Sequence, residues 1–552
     1  MSASSKKKLR KEANAAAMTE KQLTAAKEAK KLKAYTMTFV IAMILVVAIV
    51  VGTILTPIVM GWIHRSTKAV TVGDHTLTTA EMSYFFIDEI SQYYNDTYNN
   101  YYETYQDMWQ LFLFFNVGQP LNEQLYDEDK NITWADHFMS QAYDSAKQLY
   151  ALYDDAVEKG FKMPEEEEKA VDQYMANMEN YAAYYGYSSA AAYLRSTYGN
   201  GATMDDFRDY YWKNRYVSAY FTDYVNKLEY TDEQLREYEK DKYDSYSSFT
   251  YSIYTISVSK YLPEGTKDEN GNVTYTDEQR ANALAAAKAD AEAILGLAPT
   301  DTEKFDAAVK GLEINKDNKN AAGTHNENVF YDSIGMEDFK KWLADDSRKN
   351  GDMTIIEGKE TTENEDGTKT ETVNNYYVLL FRGATDNLDK LVSVRHILFS
   401  YKNPTYDADY NVVYSDAEKK AAKDKAEAML NEWKAGAATA ESFAELANKN
   451  SDDSDGTDGG LYVDIYPGQM VEAFEKWCFD EARQPGDTGI VETEYGAHVM
   501  YFEKTQDNTY RDLLIESDLV ADDSDAWLTE LMKPYTVTVL DLSGMELDYI
   551  VN

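Results

Sequence analysis

The amino-acid sequence predicts an α+β protein of several domains with a transmembrane helix near its N-terminus. Three observations predict this fold class: an uncharged apolar stretch, a long region without strand-like alternation, and a strand–helix–strand pattern that occurs twice. The chain has 552 residues. Because a domain usually contains about 100–200 residues, we expect about three to five domains rather than a single core.

The N-terminal segment has the composition of a signal anchor. Residues 1–34 contain ten basic and three acidic side chains, and no charged residue occurs from Ala34 to Ile63. An apolar helix of roughly 20 residues spans the ~30 Å hydrocarbon core of a bilayer. The positive-inside rule places residues 1–34 in the cytoplasm. We therefore expect residues 35–63 to cross the cell membrane once and to hold the bulk of the chain outside the cytoplasm. A cleaved signal peptide is disfavoured, since the apolar run is too long.

Charge and cysteine content exclude several classes of function. The formal net charge is −42, and the residues after position 34 carry 44 basic and 93 acidic side chains. Such an acidic body repels phosphates, which excludes nucleic acid as a partner. Cys478 is the only cysteine, so no intrachain disulfide and no Cys-based metal site can form. The six histidines are not at metal-ligand spacing, and we expect neither a metal nor a cofactor.

Residues 67–248 are predicted to form a mostly helical region. A short alternating run at 69–79 contains a Gly-Asp turn, which predicts a β-hairpin. Thr78 and Glu81 then have the spacing of a capping box, which predicts a helix start. Pro164 is followed by four glutamates, and this pattern predicts a second helix start because acidic side chains stabilise the positive end of the helix dipole.

Tyrosine is unusually frequent, with 46 tyrosines against 20 phenylalanines. Two groups lie in the helical region, one at helical spacing and one in a short cluster: Tyr94, Tyr98, Tyr101 and Tyr105, and Tyr181, Tyr184, Tyr185 and Tyr187. One interpretation is an ordinary core whose hydroxyls reach water. The other is an adaptable apolar surface for unfolded polypeptide, since tyrosine combines an apolar ring with a polar tip.

The second half of the chain contains an internal repeat. Four blocks recur in the same order: FTYSIYTISVSK (249–260) with KLVSVRHILFSY (390–401), NVTYTDEQRANA (272–283) with NVVYSDAEKKAA (411–422), FKKWLADDSRKNGD (339–352) with FEKWCFDEARQPGD (474–487), and YVLLFRG (377–383) with HVMYFEK (498–504). A polar segment at 357–371 is present only in the first copy and predicts a hairpin insertion. We therefore expect two α+β units, at 249–388 and 389–505.

The second copy resembles the parvulin family of peptidyl-prolyl isomerases over residues 392–504. The resemblance is carried by VRHILFS, FAELANKNSDD, a Gly-Gly pair, GQMVEAFEKWCF and VETEYGAHVMYFE, in the family's order and spacing. It implies a polar catalytic network and an apolar pocket for the proline ring. The implied catalytic residues are His396, Asp453, Thr493 and His498. The implied substrate-binding residues are Tyr462, Gln469, Met470 and Phe474.

Three local features refine this resemblance. Parvulins commonly have Gly-Asp-Leu-Gly after the acidic loop, whereas Tyr462 here replaces a leucine of the pocket wall, which predicts a narrower or more polar pocket. The loop at 402–414 is acidic and has no arginine cluster, so we expect no selectivity for phosphorylated substrates. The segment 452–460 does not fit an EF-hand, because its glycine and closing glutamate are misplaced.

The first copy is predicted to have lost the catalytic groups. The block alignment puts Thr255 opposite His396 and Tyr377 opposite His498. The unit at 249–388 is therefore expected to be a degenerate, parvulin-like domain that serves for binding or spacing.

The whole arrangement resembles PrsA-type and SurA-type extracytoplasmic foldases, which combine a helical chaperone region with parvulin domains. In that arrangement, residues 506–552 pack back on the helical region through a helix and a strand at 523–540. The resemblance implies that the chain isomerises X–Pro bonds and binds newly exported or unfolded polypeptides, with the lipid bilayer contacted through 35–63. A non-catalytic holdase is the alternative. An adhesion protein is a third hypothesis, but no wall-anchoring tail or repeat stalk supports it.

Overall fold

A computed structural model describes residues 58–267, 273–363, 368–407, 410–453 and 458–551, together with isolated residues before position 58. The chain divides into two compact units: unit 1 (1–228 and 522–552) and unit 2 (229–521). Within the described part, no helix has both the length and the apolar character needed to cross a bilayer. Most of the predicted transmembrane segment, 35–63, lies outside the described residues.

Unit 1 is mainly helical. Residues 58–66 are helical and lead into a hairpin of β1 (Lys68–Val72) and β2 (His75–Thr78). Its principal helices are α1 (Thr79–Tyr105), α2 (Trp134–Glu158), α3 (Glu165–Tyr184), α4 (Ala190–Tyr198) and α5 (Met204–Val225). A 3-10 helix (Gln106–Leu113) and the short strands β3 (Leu125–Asp127) and β4 (Ile132–Thr133) connect α1 to α2.

The helix starts of unit 1 follow the local sequence. Thr78 accepts a hydrogen bond from the Glu81 backbone N–H, and the Glu81 carboxylate accepts one from the Thr78 backbone, so the predicted capping box is confirmed. Pro164 precedes α3, whose first turn contains the four glutamates, and this predicted helix start is also confirmed. The apolar faces of α1 and α2 meet in a core that includes Phe86 and Phe138, both almost fully buried.

The two tyrosine groups differ in their surroundings. Tyr94 and Tyr101 pack against the core of unit 1, whereas Tyr98 and Tyr105 are exposed. The members of the second group are all exposed, and Tyr184 is 84% exposed. The first group therefore supplies both core contacts and exposed surface, whereas the second group supplies exposed surface.

Unit 2 contains two antiparallel four-stranded sheets. The first copy provides β5 (Ser248–Ser257), β8 (Thr324–Phe330), β9 (Met353–Glu363) and β10 (Lys369–Thr385), with β6 (Thr266–Lys267) and β7 (Val273–Thr274) as a small hairpin. The second provides β11 (Lys390–Ser400), β14 (Leu461–Ile465), β15 (Thr488–Glu492) and β16 (Gly496–Thr509), with the hairpin β12 (Thr405–Tyr406) and β13 (Val412–Val413). The sheet orders are β8-β5-β10-β9 and β14-β11-β16-β15, so the two copies have the same topology.

The helices of unit 2 also occur in matching pairs. After α6 (Asp232–Glu239), the first copy has α7 (Asp277–Leu297), α8 (Thr302–Lys310) and α9 (Glu337–Leu343). The second has α10 (Asp416–Ala435), α11 (Ala440–Asn450) and α12 (Glu472–Cys478). Buried alanines on α7 and α10 belong to the core on one face of each sheet. A second cluster on the opposite face contains residues of α9 or α12.

The insertion in the first copy extends an existing strand pair. β9 and β10 pair as far as Glu363 with Lys369, beyond the length of the β15–β16 pair. The predicted hairpin at 357–371 is therefore confirmed for the residues that the structure describes.

A buried arginine connects three segments of unit 2. Arg511 lies on helix α13 (Tyr510–Met532) and has no exposed side-chain surface. Its guanidinium forms an ion pair with Glu239 and donates to the backbone carbonyl oxygens of Tyr243 and Asp386. The same group stacks 3.9 Å from the ring centroid of Tyr243. These contacts satisfy a charge that would be costly to bury alone.

The C-terminal segment completes the sheet of unit 1. Helix α13 begins in unit 2 and ends in unit 1, and β17 (Val537–Val539) follows it. β17 pairs antiparallel with β1, with Val539 opposite Val70. Trp527 stacks on Tyr224, and Tyr535 donates a hydrogen bond to Asp154.

Candidate active site

One cavity in the second copy brings together most of the predicted site residues. It has a volume of about 440 Å³. Its lining consists of His396, Leu398, Asp453, Tyr462, Gln469, Met470, Val471, Phe474, Tyr495 and His498. Of the predicted residues only Thr493 is absent from this lining, and it contacts His498 directly.

The sheet register brings the two histidines together. His396 lies on β11 opposite Met500, and His498 lies on β16 opposite Leu398. They are therefore diagonal neighbours on adjacent antiparallel strands, a position from which long side chains can touch. Their Nδ1 atoms are 3.1 Å apart, and both side chains are buried.

The polar side chains form one continuous chain of hydrogen bonds. Thr493 Oγ1 is 2.8 Å from His498 Nε2, and His396 Nε2 is 2.9 Å from Asp453 Oδ2. Tyr462 donates its hydroxyl to the same carboxylate oxygen, at 2.9 Å. Together with the contact between the histidines, these bonds run from Thr493 to Tyr462.

The chemistry of Asp453 sets the direction of these bonds. An ionised carboxylate only accepts, so His396 Nε2 carries a proton and donates it. In a neutral imidazole, His396 Nδ1 then accepts, and the donor is His498 Nδ1–H. His498 Nε2 is left as an acceptor for the Thr493 hydroxyl. The Thr493 oxygen in turn accepts from the Tyr495 backbone N–H at 3.2 Å.

Apolar side chains form the other wall of the cavity. The ring of Phe474 lies edge-on to both imidazoles, with centroids 5.4 Å from His396 and 5.5 Å from His498. Phe474 belongs to a buried cluster against which Met470 and Tyr462 pack. Gln469 accepts a hydrogen bond from the Tyr466 backbone N–H, which fixes the loop before α12. The cavity therefore combines an apolar wall with a rigid polar one.

Burial keeps both imidazoles neutral. Desolvation lowers the pKa of His396, although the Asp453 carboxylate opposes the shift. Desolvation, reinforced by His396, lowers the pKa of His498 to about 4. At neutral pH, both rings are thus held in the tautomers that the hydrogen bonds require.

We predict that the fold loses stability as the solution becomes acidic, because His498 is protonated more readily in the unfolded chain than in the folded one. Because its pKa falls from 6.5 to about 4 on folding, the unfolded chain binds more protons between these values. This contribution to stability is therefore present above pH 6.5 and is lost as the pH falls towards 4. Imidazole ¹⁵N NMR should find a neutral Nδ1–H tautomer of His498 at pH 5.5. A midpoint near 6.5 for this residue in the folded chain would contradict the prediction.

Sequence reasoning missed several features of this cavity. Leu398, Val471 and Tyr495 also line it. Leu398 could have been predicted from its position, because it is two residues after His396 on β11 and residues two apart on a strand face the same side. The bond from Tyr462 to Asp453 was not predicted, because the two residues meet only through the folding of the loop between them.

The first copy requires a correction to the alignment. Tyr377, the counterpart of His498, lies opposite Thr255, whereas His498 lies opposite Leu398. Thr255 therefore corresponds to Leu398, and the position of His396 is occupied by Ile253. Thr255 is exposed, while Ile253 packs against the cluster around Phe339 and Tyr377. The proposed pairing of Thr255 with His396 was wrong by two residues.

Comparison with known families identifies the second copy. The PPIC-type PPIase domain family matches residues 377–505. The resemblance predicted from the sequence motifs is thus confirmed, and this part of the chain is a parvulin-type peptidyl-prolyl isomerase domain. The match begins in β10, before the predicted boundary at residue 389.

Curated relatives are similar to part of the chain. Foldase protein PrsA 1 of Listeria monocytogenes is 29% identical over 185 residues, which are 32% of this chain and 59% of that protein. Foldase protein PrsA 1 of Listeria innocua is 32% identical over 110 residues, 18% of this chain and 37% of that protein. The chain therefore spans less than two thirds of the length of these relatives.

Two solved structures of PrsA were also matched. PrsA from Bacillus subtilis is 13% identical, with a TM-score of 0.23 and coverage of 75% of this chain and 91% of that one. PrsA from Bacillus cereus is 16% identical, with a TM-score of 0.18 and coverage of 60% and 85%. These TM-scores do not establish a common overall fold.

Proposed function

We propose that this chain is a membrane-anchored extracytoplasmic foldase that isomerises X–Pro bonds in exported proteins and binds unfolded chains. The proposal rests above all on the hydrogen-bond chain from Thr493 through His498 and His396 to Asp453, which lies beside the apolar wall of Met470 and Phe474. A preorganised polar wall facing an apolar one suits a reaction that twists a bond without breaking it.

The apolar wall accounts for the first part of the catalysis. The planar amide is stabilised by resonance, and rotation about it costs ~18–20 kcal/mol. Twisting removes the resonance and makes the amide less dipolar, so an apolar surface disfavours the planar form more than the twisted form. Phe474 and Met470 can hold the proline ring while the rest of the peptide turns.

The polar wall accounts for the second part. Both nitrogens of His396 bond within the chain of hydrogen bonds, and so do both nitrogens of His498. Neither imidazole is therefore placed as a general acid or base. Their role is to hold the Asp453 carboxylate, the charged member of the group, in a fixed position against the reacting amide. A fixed charge needs no reorganisation during the twist.

Further features support the remaining parts of the proposal. Exposed apolar side chains of unit 1, including Leu111, Phe114 and Tyr184, could contact unfolded chains. The basic segment 1–34 and the apolar segment 35–63 support anchoring with the N-terminus in the cytoplasm. With Ile253 and Tyr377 at the histidine positions, the unit at 249–388 would serve for binding or spacing.

The proposed activity is tested on the full chain in bilayer nanodiscs. Without a catalyst, cis/trans exchange of an X–Pro bond takes tens of seconds or longer. Exchange NMR should find that a substoichiometric amount of the protein speeds the exchange of an unphosphorylated Ala-Pro peptide by at least about tenfold. A folded chain that gives only the uncatalysed rate would refute the enzymatic proposal.

A holdase without isomerase activity is the second candidate. It is favoured by the tyrosine at position 462, whose ring and hydroxyl occupy part of the cavity wall. Suppression of the aggregation of a denatured client, measured by light scattering beside the exchange assay, separates the two. A holdase suppresses aggregation without speeding exchange, whereas the foldase does both.

A further inference from the structure

The loop before α12 supplies two residues of the candidate proline pocket, Gln469 and Met470. The loop turns at Gly468, whose φ of +90° favours glycine. Two hydrogen bonds tie this turn to its surroundings. The Gly468 N–H donates to the Glu475 carboxylate at 2.7 Å, and the Gln469 N–H donates to the Tyr466 carbonyl oxygen at 3.3 Å. The position of this pocket wall therefore depends on where Tyr466 is held.

The ring of Tyr466 is supported from outside the catalytic domain. It stacks on the ring of Tyr510, with centroids 3.9 Å apart and planes 3° from parallel. Tyr510 is the first residue of α13 and lies beyond residues 377–505, which match the PPIase domain family. Phe330, at the end of β8 in the first copy, also contacts Tyr510, with centroids 6.3 Å apart. A helix and a strand that do not belong to the domain thus support a loop of its pocket.

The first turn of α13 is firmly fixed. The Thr509 backbone N–H donates to the Asp512 carboxylate at 2.8 Å, and the Asp512 N–H donates to Thr509 Oγ1 at 3.2 Å, so the two residues cap the helix reciprocally. The Tyr510 N–H donates to the Asp389 carbonyl oxygen at 2.9 Å. Asp512 also forms an ion pair with Arg236 on α6. The Tyr510 ring therefore projects from a backbone that is held by several contacts.

The corresponding tyrosine of the first copy is supported differently. Phe339 lies eight positions after Tyr331, as Phe474 does after Tyr466. The Tyr331 ring faces Lys340, whose Nζ is 5.1 Å from the ring centroid and which belongs to the same copy. The stack on a helix from outside thus accompanies the copy that has the two histidines.

We propose that Tyr510 is a positioning residue for isomerisation, because its stack on Tyr466 holds the loop that brings Gln469 and Met470 to the proline ring. This inference rests on the proposed function and adds to it a residue from outside the catalytic domain. A loop that is fixed in advance loses no freedom when the peptide binds. Tyr510 therefore stabilises the bound planar and twisted forms of the peptide equally. Its loss should raise KM and leave kcat unchanged.

The test is exchange NMR on the full chain in bilayer nanodiscs, over a range of concentrations of the Ala-Pro peptide. Tyr510→Ala removes one aromatic pair and should raise KM about fivefold, with kcat changed by less than about twofold. Tyr510→Phe keeps the ring and should give a KM within about twofold of the unaltered chain. Tyr466→Ala removes the same contact from the other side. The double variant Tyr466→Ala, Tyr510→Ala should therefore have the KM of either single variant.

Tyr331→Ala is the matched control from the first copy and should leave KM unchanged. The methyl NMR signal of Met470 is a readout that does not depend on catalysis. It should shift in Tyr510→Ala and keep its position in Tyr510→Phe.

Two outcomes would overturn the proposal while the isomerase activity stands. One is an unchanged KM and an unchanged Met470 signal in Tyr510→Ala, and the other is a lower kcat at unchanged KM, which indicates a general loss of folded protein. An unaltered chain that gives only the uncatalysed rate refutes the proposed function instead. In that case the Met470 signal still decides whether Tyr510 holds the loop.

Discussion

Replacing His396 with alanine is expected to lower the rate of catalysed cis/trans exchange by about a hundredfold, a typical effect of removing one preorganised group. The imidazole bridges His498 and Asp453, so its loss separates the carboxylate from the rest of the hydrogen-bond chain. Exchange NMR with the full chain measures the effect, and a thermal unfolding curve establishes that the variant remains folded.

Tyr462→Phe provides a graded comparison in the same cavity. Tyr462 donates to Asp453 from the end of the chain of hydrogen bonds, and His396 still holds the carboxylate in this variant. Loss of one hydrogen bond to a charged group should slow exchange by about tenfold, less than the His396 variant. If His396→Ala keeps the rate of the unaltered chain, the carboxylate does not depend on the imidazoles and the proposed role of the network is wrong.

Replacing Arg511 with methionine is expected to have the largest effect on stability. The change removes the fully buried one of the two arginines that pair with the Glu239 carboxylate, and it removes donors from two backbone carbonyl groups. Arg236 still pairs with Glu239, but its side chain is 47% exposed, so the ion pair that remains is more open to solvent than the one that is lost. Breaking a buried ion pair in this way costs about 3–5 kcal/mol. Denaturant unfolding of the full chain should detect the loss as a lower midpoint for unit 2.

Arg483 is a suitable control for Arg511. It also stacks on an aromatic ring, 4.1 Å from the Trp477 centroid, but it pairs with the half-exposed Asp480. Arg483→Met should therefore cost no more than about 1 kcal/mol. Equal losses in the two variants would mean that burial of the Arg511 ion pair contributes nothing beyond an ordinary surface contact.

The sequence was most informative where local chemistry determines the structure. The capping box of Thr78 and Glu81 predicted the start of α1, because its two bonds involve residues only three apart. Family motifs predicted the residues that meet around the cavity, including His396 and His498. That prediction depended on several motifs in the order and spacing of the family. A single histidine on a strand would not have predicted a site, because it is usually only a structural residue.

Register and long-range contacts could not be predicted in the same way. A shift of two residues along β5 keeps every side chain on its original face, so alternation alone did not distinguish Thr255 from Ile253. Arg511 resembles any surface arginine of an amphipathic helix, because its partner Glu239 is far away in sequence. The bond from Tyr462 to Asp453 likewise depends on how a loop and a strand approach each other.

The pairing of β17 with β1 imposes an order of events during synthesis. A chain emerges from its N-terminus, so β1 and β2 are made long before Val539 is available to pair with Val70. A two-stranded hairpin is only marginally stable by itself. Unit 2 is one continuous segment, so all of its residues are present as soon as it has emerged, whereas unit 1 needs residues from both sides of it. The helical unit is therefore begun first and finished last, and its early helices must remain unaggregated while all of unit 2 is being made.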